Sequence, residues 1–143
     1  MNIRTFLLGL IIANSYAYGA DMRDIPGKKI TLDSLNEMFQ NIKNETSWNI
    51  SGPMLWGYFF THHEPQKLEQ AAEELIKQGY KYVDIYLSDK DDPNEPDIYW
   101  LHVEKVEIHS PKTLDKRNDE LYIFANKYAL DSYDGMDVGP MKQ

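Results

Sequence analysis

Met54-Leu55-Trp56-Gly57-Tyr58-Phe59-Phe60-Thr61 is an almost entirely apolar stretch that is too short for a typical helix. Strands that are buried on both faces have continuous apolar runs, whereas half-buried strands alternate apolar with polar residues. The stretch therefore predicts a strand at the centre of a sheet, and the rest of the fold can be built outward from it.

The segments that follow this strand predict a helix and a second strand. Pro65 suits the first turn of a helix over 65–78, and Gly79 suits its end. In the strand over 80–88, strict alternation would divide the side chains between two faces. One face is expected to carry Val83, Ile85 and Leu87, and the other Tyr80, Tyr82 and Tyr86.

A third strand over 98–108 and a last helix continue the pattern. The apolar residues of this strand change phase after Val103, which predicts a bulge near Glu104-Lys105. Ser110 suits the N-cap of the last helix and Pro111 its first turn. A short edge strand is expected over 133–138.

One more helix, over 32–44 and capped by Thr31 or Asp33, precedes the first strand. The whole order is a helix followed by two β-α-β units. This order predicts an α+β fold, a ferredoxin-like two-layer sandwich (β-α-β-β-α-β) with an additional N-terminal helix. The length suits a single domain over 21–143.

Residues 1–20 have the pattern of a signal peptide. Arg4 precedes the apolar run Phe6–Ala13, and Ala17-Tyr18-Gly19 offers a cleavage site, with Ser15-Tyr16-Ala17 as a second option. We expect an exported protein, periplasmic or secreted, with no stable membrane anchor after cleavage. The alternatives are a short membrane anchor or a misassigned start, and in the latter case the protein would be cytoplasmic.

The charge of the chain narrows the choice of partners. The formal net charge is −8, and removal of Arg4 with residues 1–20 would make it −9. Such a surface repels phosphate backbones, so we expect no direct binding of nucleic acid and instead a protein partner with a basic surface. The chain has no cysteine, which excludes disulfides, thiolate nucleophiles and cysteine metal sites.

The sequence predicts no catalytic, metal-binding or cofactor-binding residue. His62 and His63 are adjacent, and consecutive residues of a strand point to opposite faces, so one ion could not easily bind both. Acidic residues crowd the turn 89–97, but its spacing lacks the central glycine and the last glutamate of a calcium loop. These histidines and the turn are therefore interpreted as polar structural features.

Partner binding is predicted for two groups of residues. The first is the exposed acidic turn, with Asp89, Asp91, Asp92, Glu95 and Asp97, although such a turn can serve solubility alone. The second is an aromatic sheet face with Tyr82, Tyr86 and Trp100, to which Trp56, Tyr58 and Phe60 also contribute. The helix over 32–44 could cover this face as a second core, or leave part of it free for a protein partner.

The C-terminal half resembles the RraB family, regulators of ribonuclease E activity. The resemblance rests on Ser110–Asn118, Glu120-Leu121 and Tyr133–Gly139, with Phe59-Phe60-Thr61 and Gly79-Tyr80 in the first half, and it covers residues 55–141. It implies a small protein inhibitor that binds the ribonuclease and has no catalytic residue or cofactor.

Two functions stay open at this level. The first is a non-catalytic regulator that binds ribonuclease E, as the resemblance implies. The second is an exported binding or immunity-type protein on the same fold, which masks a toxin or an envelope enzyme. Ribonuclease E is cytoplasmic, so the location of the protein separates the two.

Overall fold

The computed structural model describes residues 24–141, which form three helices and four strands. In chain order the elements are α1 (Leu32–Glu45), β1 (Met54–His62), α2 (Pro65–Lys77), β2 (Lys81–Leu87), β3 (Tyr99–Glu107), α3 (Pro111–Lys127) and β4 (Ser132–Gly139). The predicted α+β ferredoxin-like sandwich with an additional N-terminal helix is confirmed. Of the helices in this range, none has the length and apolarity needed to cross a bilayer. The predicted signal peptide, residues 1–20, lies outside the described residues.

Local signals define the helix ends. The Thr31 side chain accepts a hydrogen bond from the backbone of Ser34, and the Ser34 side chain bonds back to the cap, so α1 starts with a capping box. Ser110 and Thr113 form the same arrangement at the start of α3. After α2, Gly79 has a φ of +94°, a conformation that glycine adopts without steric cost.

The four strands form one antiparallel sheet in the order β2-β3-β1-β4. All nine residues of β1 are buried, which confirms its predicted central position. β3 lies beside it in unbroken register from Met54 opposite Glu107 to His62 opposite Tyr99. β2 and β4 are therefore the outer strands of this sheet.

The helices pack on the face of β1 that carries Trp56, Tyr58 and Phe60. The ring of Phe39 in α1 stacks on Trp56 with centroids 6.0 Å apart, and Phe124 in α3 meets Phe60 at 5.7 Å. These β1 aromatics belong to the core, and α1 shares this face with α3. The prediction that they share an aromatic face with Tyr86 and Trp100 is wrong, because the side chains of those two residues lie on the other side of the sheet.

The bulge predicted near Glu104-Lys105 is also wrong. The register of β3 against β1 does not shift, and Val106 stays on the outer face with 55% of its surface exposed. The irregularities lie in the outer strands, in β2 at Val83 and in β4 beside Asp134. An extra residue in an outer strand disturbs one ladder of hydrogen bonds, whereas an extra residue in a central strand would disturb two.

The segment before α1 is held against α3. Lys28 is buried and its ammonium group lies 2.6 Å from a carboxylate oxygen of Asp119. The hydroxyl of Tyr122 accepts hydrogen bonds from the backbone amides of Lys29 and Ile30, at 3.2 and 3.1 Å. This segment, residues 24–31, therefore extends the helical layer towards β4.

Candidate functional site

The acidic turn joins the two strands of the β2–β3 hairpin. All five of its predicted partner-binding acids are exposed. The amide of Ser88 donates a 2.8 Å hydrogen bond to the carbonyl of Ile98 and closes the base of the turn. Lys90, the single basic residue of 89–97, pairs with Asp97 at 2.7 Å. The turn thus projects from the end of the sheet with an excess of negative charge.

Two of the predicted aromatic residues meet at the base of this turn. Tyr86 of β2 lies opposite Trp100 of β3, and their rings are nearly parallel with centroids 6.4 Å apart. Trp100 also contacts Phe59 of β1 edge to face at 6.2 Å. These three rings form a row on the side of the sheet away from Trp56, and Tyr86 is 40% exposed at its outer end.

The prediction that Tyr82 shares a face with Tyr86 is wrong. The bulge at Val83 inserts one residue between them, so Tyr82 lies opposite Val103 and Asp84 lies opposite His102. Tyr82 therefore points to the helical side. There it lines a groove with Ile76 and Ile85 between α2 and β2. An extra residue reverses the face of every residue after it, because the side-chain period of a strand is two.

The outer side of the hairpin is electronegative as well as aromatic. Burial and the nearby carboxylates of Asp137 and Asp84 raise the pKa of the Tyr86 phenol. Asp134 of β4 also raises the pKa of the Tyr86 phenol. A cationic group of a partner would be favoured on this side.

We call the predicted binding residues together the hairpin surface, which consists of β2, the acidic turn 89–97 and Trp100. The fold brings Tyr86, Trp100 and the acidic turn to one end of the sheet, whereas Tyr82 lies across the edge on the helical side. Other large apolar side chains on or beside this surface are well exposed, namely Val83, Leu87 and Ile98. Nothing in the sequence marked these residues for binding, since alternation alone assigned Val83 and Leu87 to a strand face.

A polar cluster that the sequence did not predict is buried between β3 and α3. The hydroxyl of Tyr58 donates to Glu107 at 2.6 Å, His109 Nε2 lies 2.7 Å from the same oxygen, and Arg117 donates to the other oxygen at 2.6 Å. Burial opposes ionisation, but these partners lower the pKa of Glu107 to about 2. Burial raises the pKa of Tyr58 well above its usual value. With the carboxylate charged and the phenol protonated at neutral pH, the cluster ties β3 to α3 and is poorly suited to proton transfer there.

The two adjacent histidines come together with an aspartate. The expectation that their side chains point apart is wrong, because β1 ends at His62 and strand alternation does not extend to His63. Their rings stack with centroids 4.3 Å apart. Asp131, which precedes β4, lies 3.0 Å from His63 Nδ1, and its hydrogen bond raises the pKa of His63. No sequence signal links positions 68 residues apart, so only the fold reveals this group.

Comparison with known proteins identifies the family. The family model described as RraB, regulator of ribonuclease activity B, matches residues 32–138. The match runs from the first residue of α1 almost to the end of β4. It therefore includes the N-terminal helix α1, which lies outside the resemblance over residues 55–141. None of the curated proteins matches the chain. The chain belongs to the RraB family, a family of protein-binding regulators of ribonuclease activity.

Proposed function

We propose that this protein is a non-catalytic regulator that binds a basic protein partner through the hairpin surface. The observation that carries the proposal is the exposed β2 edge: every one of its residues is exposed or half-buried, although most of them are apolar or aromatic. Contiguous exposed apolar surface beside charged groups is typical of a protein interaction site.

The edge offers two kinds of contact to a partner. Within the described residues β2 pairs with β3 alone, so the outward amides and carbonyls of β2 can receive an extended segment of another chain. Tyr86 and Leu87, 40% and 48% exposed, supply apolar contact area next to these groups. The backbone contacts would provide affinity and the side chains specificity.

The acidic turn supplies long-range attraction. Five carboxylates project beside the edge, and Lys90 balances only one of them. Opposite charge on a partner accelerates encounter more than it tightens the final complex. The expected partner surface is therefore rich in lysine and arginine, and ribonuclease E is the first candidate because the family is defined by ribonuclease regulation.

The test compares two triple variants with the same change in charge. D91N/D92N/E95Q neutralises the hairpin surface, and D24N/E37Q/E45Q neutralises exposed acids elsewhere on the molecule. The association rate with ribonuclease E is measured at low and high salt. We expect the first variant to associate about tenfold or more slowly than the wild type at low salt, with little change in dissociation, and the second to stay near the wild-type rate. Equal rates for the two variants would contradict the assignment of the surface.

The sequence of residues 1–20 favours a second candidate, an exported protein that uses the same surface to mask a basic toxin or envelope enzyme. Cell fractionation with intact-mass measurement of the N-terminus separates the two candidates. A mature chain that begins near residue 21 outside the cytoplasm supports the second. A chain that begins at Met1 in the cytoplasm supports the first candidate, a regulator that binds ribonuclease E.

A further inference from the structure

We propose that His62, His63 and Asp131 form a binding site for a divalent transition-metal ion such as zinc. The site lies at the end of the sheet where β1 finishes and β4 begins. It lies at the same end of the sheet as the acidic turn, since His62 is opposite Tyr99 and Tyr99 is opposite Leu87, but none of its three side chains belongs to the hairpin surface. One ligand atom from each of the three side chains can be chosen so that all lie within 4.8 Å of one another.

The backbone places these residues side by side. Thr61 lies opposite Ser132 in the β1–β4 ladder, and the amide of Asp131 donates a 2.9 Å hydrogen bond to the carbonyl of Thr61. The hydroxyls of Thr61 and Ser132 add a 2.6 Å hydrogen bond. The carboxylate of Asp131 also accepts from the backbone amide of His63 at 2.8 Å. Both strand ends are thus held together before any ion binds.

The distances between ligand atoms suit a small divalent cation. Asp131 Oδ1 lies 3.2 Å from His63 Nδ1 and 3.8 Å from His62 Nε2. Zinc bonds nitrogen and oxygen at about 2.0–2.2 Å, which places neighbouring ligands of a tetrahedral ion about 3.3 Å apart. The two observed distances fall on either side of this value, so small side-chain movements suffice.

The ligand types narrow the choice of ion. Two imidazoles and one carboxylate favour zinc, copper or nickel over magnesium and calcium, which prefer all-oxygen sites. His63 is 60% exposed and Asp131 38%, so an ion can enter from solvent. Three protein ligands would leave an open coordination position for water or for a side chain of a partner.

Binding of the ion requires one local rearrangement at His62, and this rearrangement can be detected by experiment. The amide of Glu64 donates to His62 Nδ1 at 2.8 Å, so neutral His62 carries its proton on Nε2 without the ion. When the ion binds Nε2, the proton must move to Nδ1, and the Glu64 amide must turn to water. Glu64 is exposed, so its amide can be hydrated after that change.

The experiment uses the full chain without a histidine tag and zinc chloride as the probe. Titration calorimetry is expected to show one zinc ion bound per chain. In nitrogen-15 NMR spectra of the titration, the imidazole signals of His62 should report the change of protonated nitrogen, and the Glu64 amide signal should shift. His63→Gln and Asp131→Asn should weaken binding by about tenfold or more, since each replaces an imidazole or carboxylate ligand with a neutral amide, which is a poor ligand for zinc.

His102→Gln is the matched control, because it removes a histidine on β3 outside the group and should retain wild-type zinc affinity. Asp131→Asn keeps an oxygen that can accept from the His63 amide, and His63 is largely exposed, so both variants are expected to fold; circular dichroism checks this. No saturable binding by the wild type at millimolar zinc overturns the proposal. Wild-type affinity in both ligand variants overturns it too.

Discussion

The two outer strands of the sheet, β2 and β4, differ in a way that their composition does not suggest. β2 (Lys-Tyr-Val-Asp-Ile-Tyr-Leu) is the more apolar, yet all its residues are exposed or half-buried. β4 (Ser-Tyr-Asp-Gly-Met-Asp-Val-Gly) contains two aspartates and two glycines, yet its last five residues are buried. Burial at a sheet edge therefore depends on what packs over the strand, and the apolar edge that stays exposed is the one proposed above to bind a partner.

Packing over β4 explains much of the difference. Tyr133 of β4 is buried against Tyr122 of α3, with ring centroids 4.9 Å apart, and donates a 2.6 Å hydrogen bond to Asn118. Ile30, in the segment that extends the helical layer, lies next to Gly135. Within the described residues, β2 faces α2 across an open groove. The protein thus buries most of one outer strand under its own chain and leaves the other outer strand exposed.

The largest effect should come from shortening a buried side chain in β4. Met136 is fully buried and Leu87 of β2 is 48% exposed, so Met136→Ala and Leu87→Ala are a matched pair. Met136→Ala should lower the free energy of unfolding by about 2–5 kcal/mol, because it removes buried surface and leaves a cavity. Leu87→Ala should change it by no more than about 0.5 kcal/mol. Urea denaturation measures both, and similar losses would remove the contrast between the edges.

A smaller effect is expected at Gly135, where the backbone itself is unusual. Its φ of +114° is rarely adopted by residues with a side chain, so Gly135→Val should lower the free energy of unfolding by about 1–3 kcal/mol. Among the described residues an added Cβ would meet only Ile30, at an ordinary 3.6 Å. Gly135→Ala is the control for bulk. A loss with valine and none with alanine would assign the cost to packing instead of backbone strain.

The smallest effect concerns charge at the β4 edge and depends on pH. Burial raises the pKa of Asp134 to about 6, above its usual 3.8, so the folded protein holds this proton more tightly than the unfolded chain. The contribution of Asp134 to stability should therefore be largest near pH 4, fall as the pH rises to about 6, and stay constant above it. Because Asp134 is partly solvated, Asp134→Asn should raise stability at pH 7 by only about 1 kcal/mol.

Thermal unfolding from pH 4 to pH 7 measures this dependence. Asp134→Asn should flatten the part of the profile between pH 4 and pH 6. Asp84→Asn, in the exposed strand β2, serves as the control and should reproduce the wild-type profile. If the stability of the wild type rises from pH 4 to pH 6 in parallel with that of Asp134→Asn, then Asp134 is better solvated than its burial implies.

Features carried by neighbouring residues were predictable from the sequence. The capping residues Thr31 and Ser110 lie three positions from the groups they bond. The local pattern therefore predicted Ser110 as a cap and Thr31 as one of two candidates, the other being Asp33. The apolar run of β1 indicated its central position because a strand that is buried on both faces has no polar face. The exposed acidic turn was predictable because two prolines and five acids over 89–97 cannot form a core element.

Features that depend on distant residues were not predictable in the same way. One inserted residue at Val83 placed Tyr82 and Tyr86 on opposite sides of the sheet, and local periodicity carries no sign of it. Asp131 meets His63 only because β1 and β4 are adjacent in the sheet.

The elements, their order and the acidic character of the chain follow from residue types and short-range spacing, so the sequence alone predicts them. Which edge strand stays open, which aromatic residues reach the surface and which side chains form the histidine–aspartate group depend on the tertiary fold. Those outcomes depend on strand order, register and packing, and in an antiparallel sheet these join residues that the chain keeps far apart.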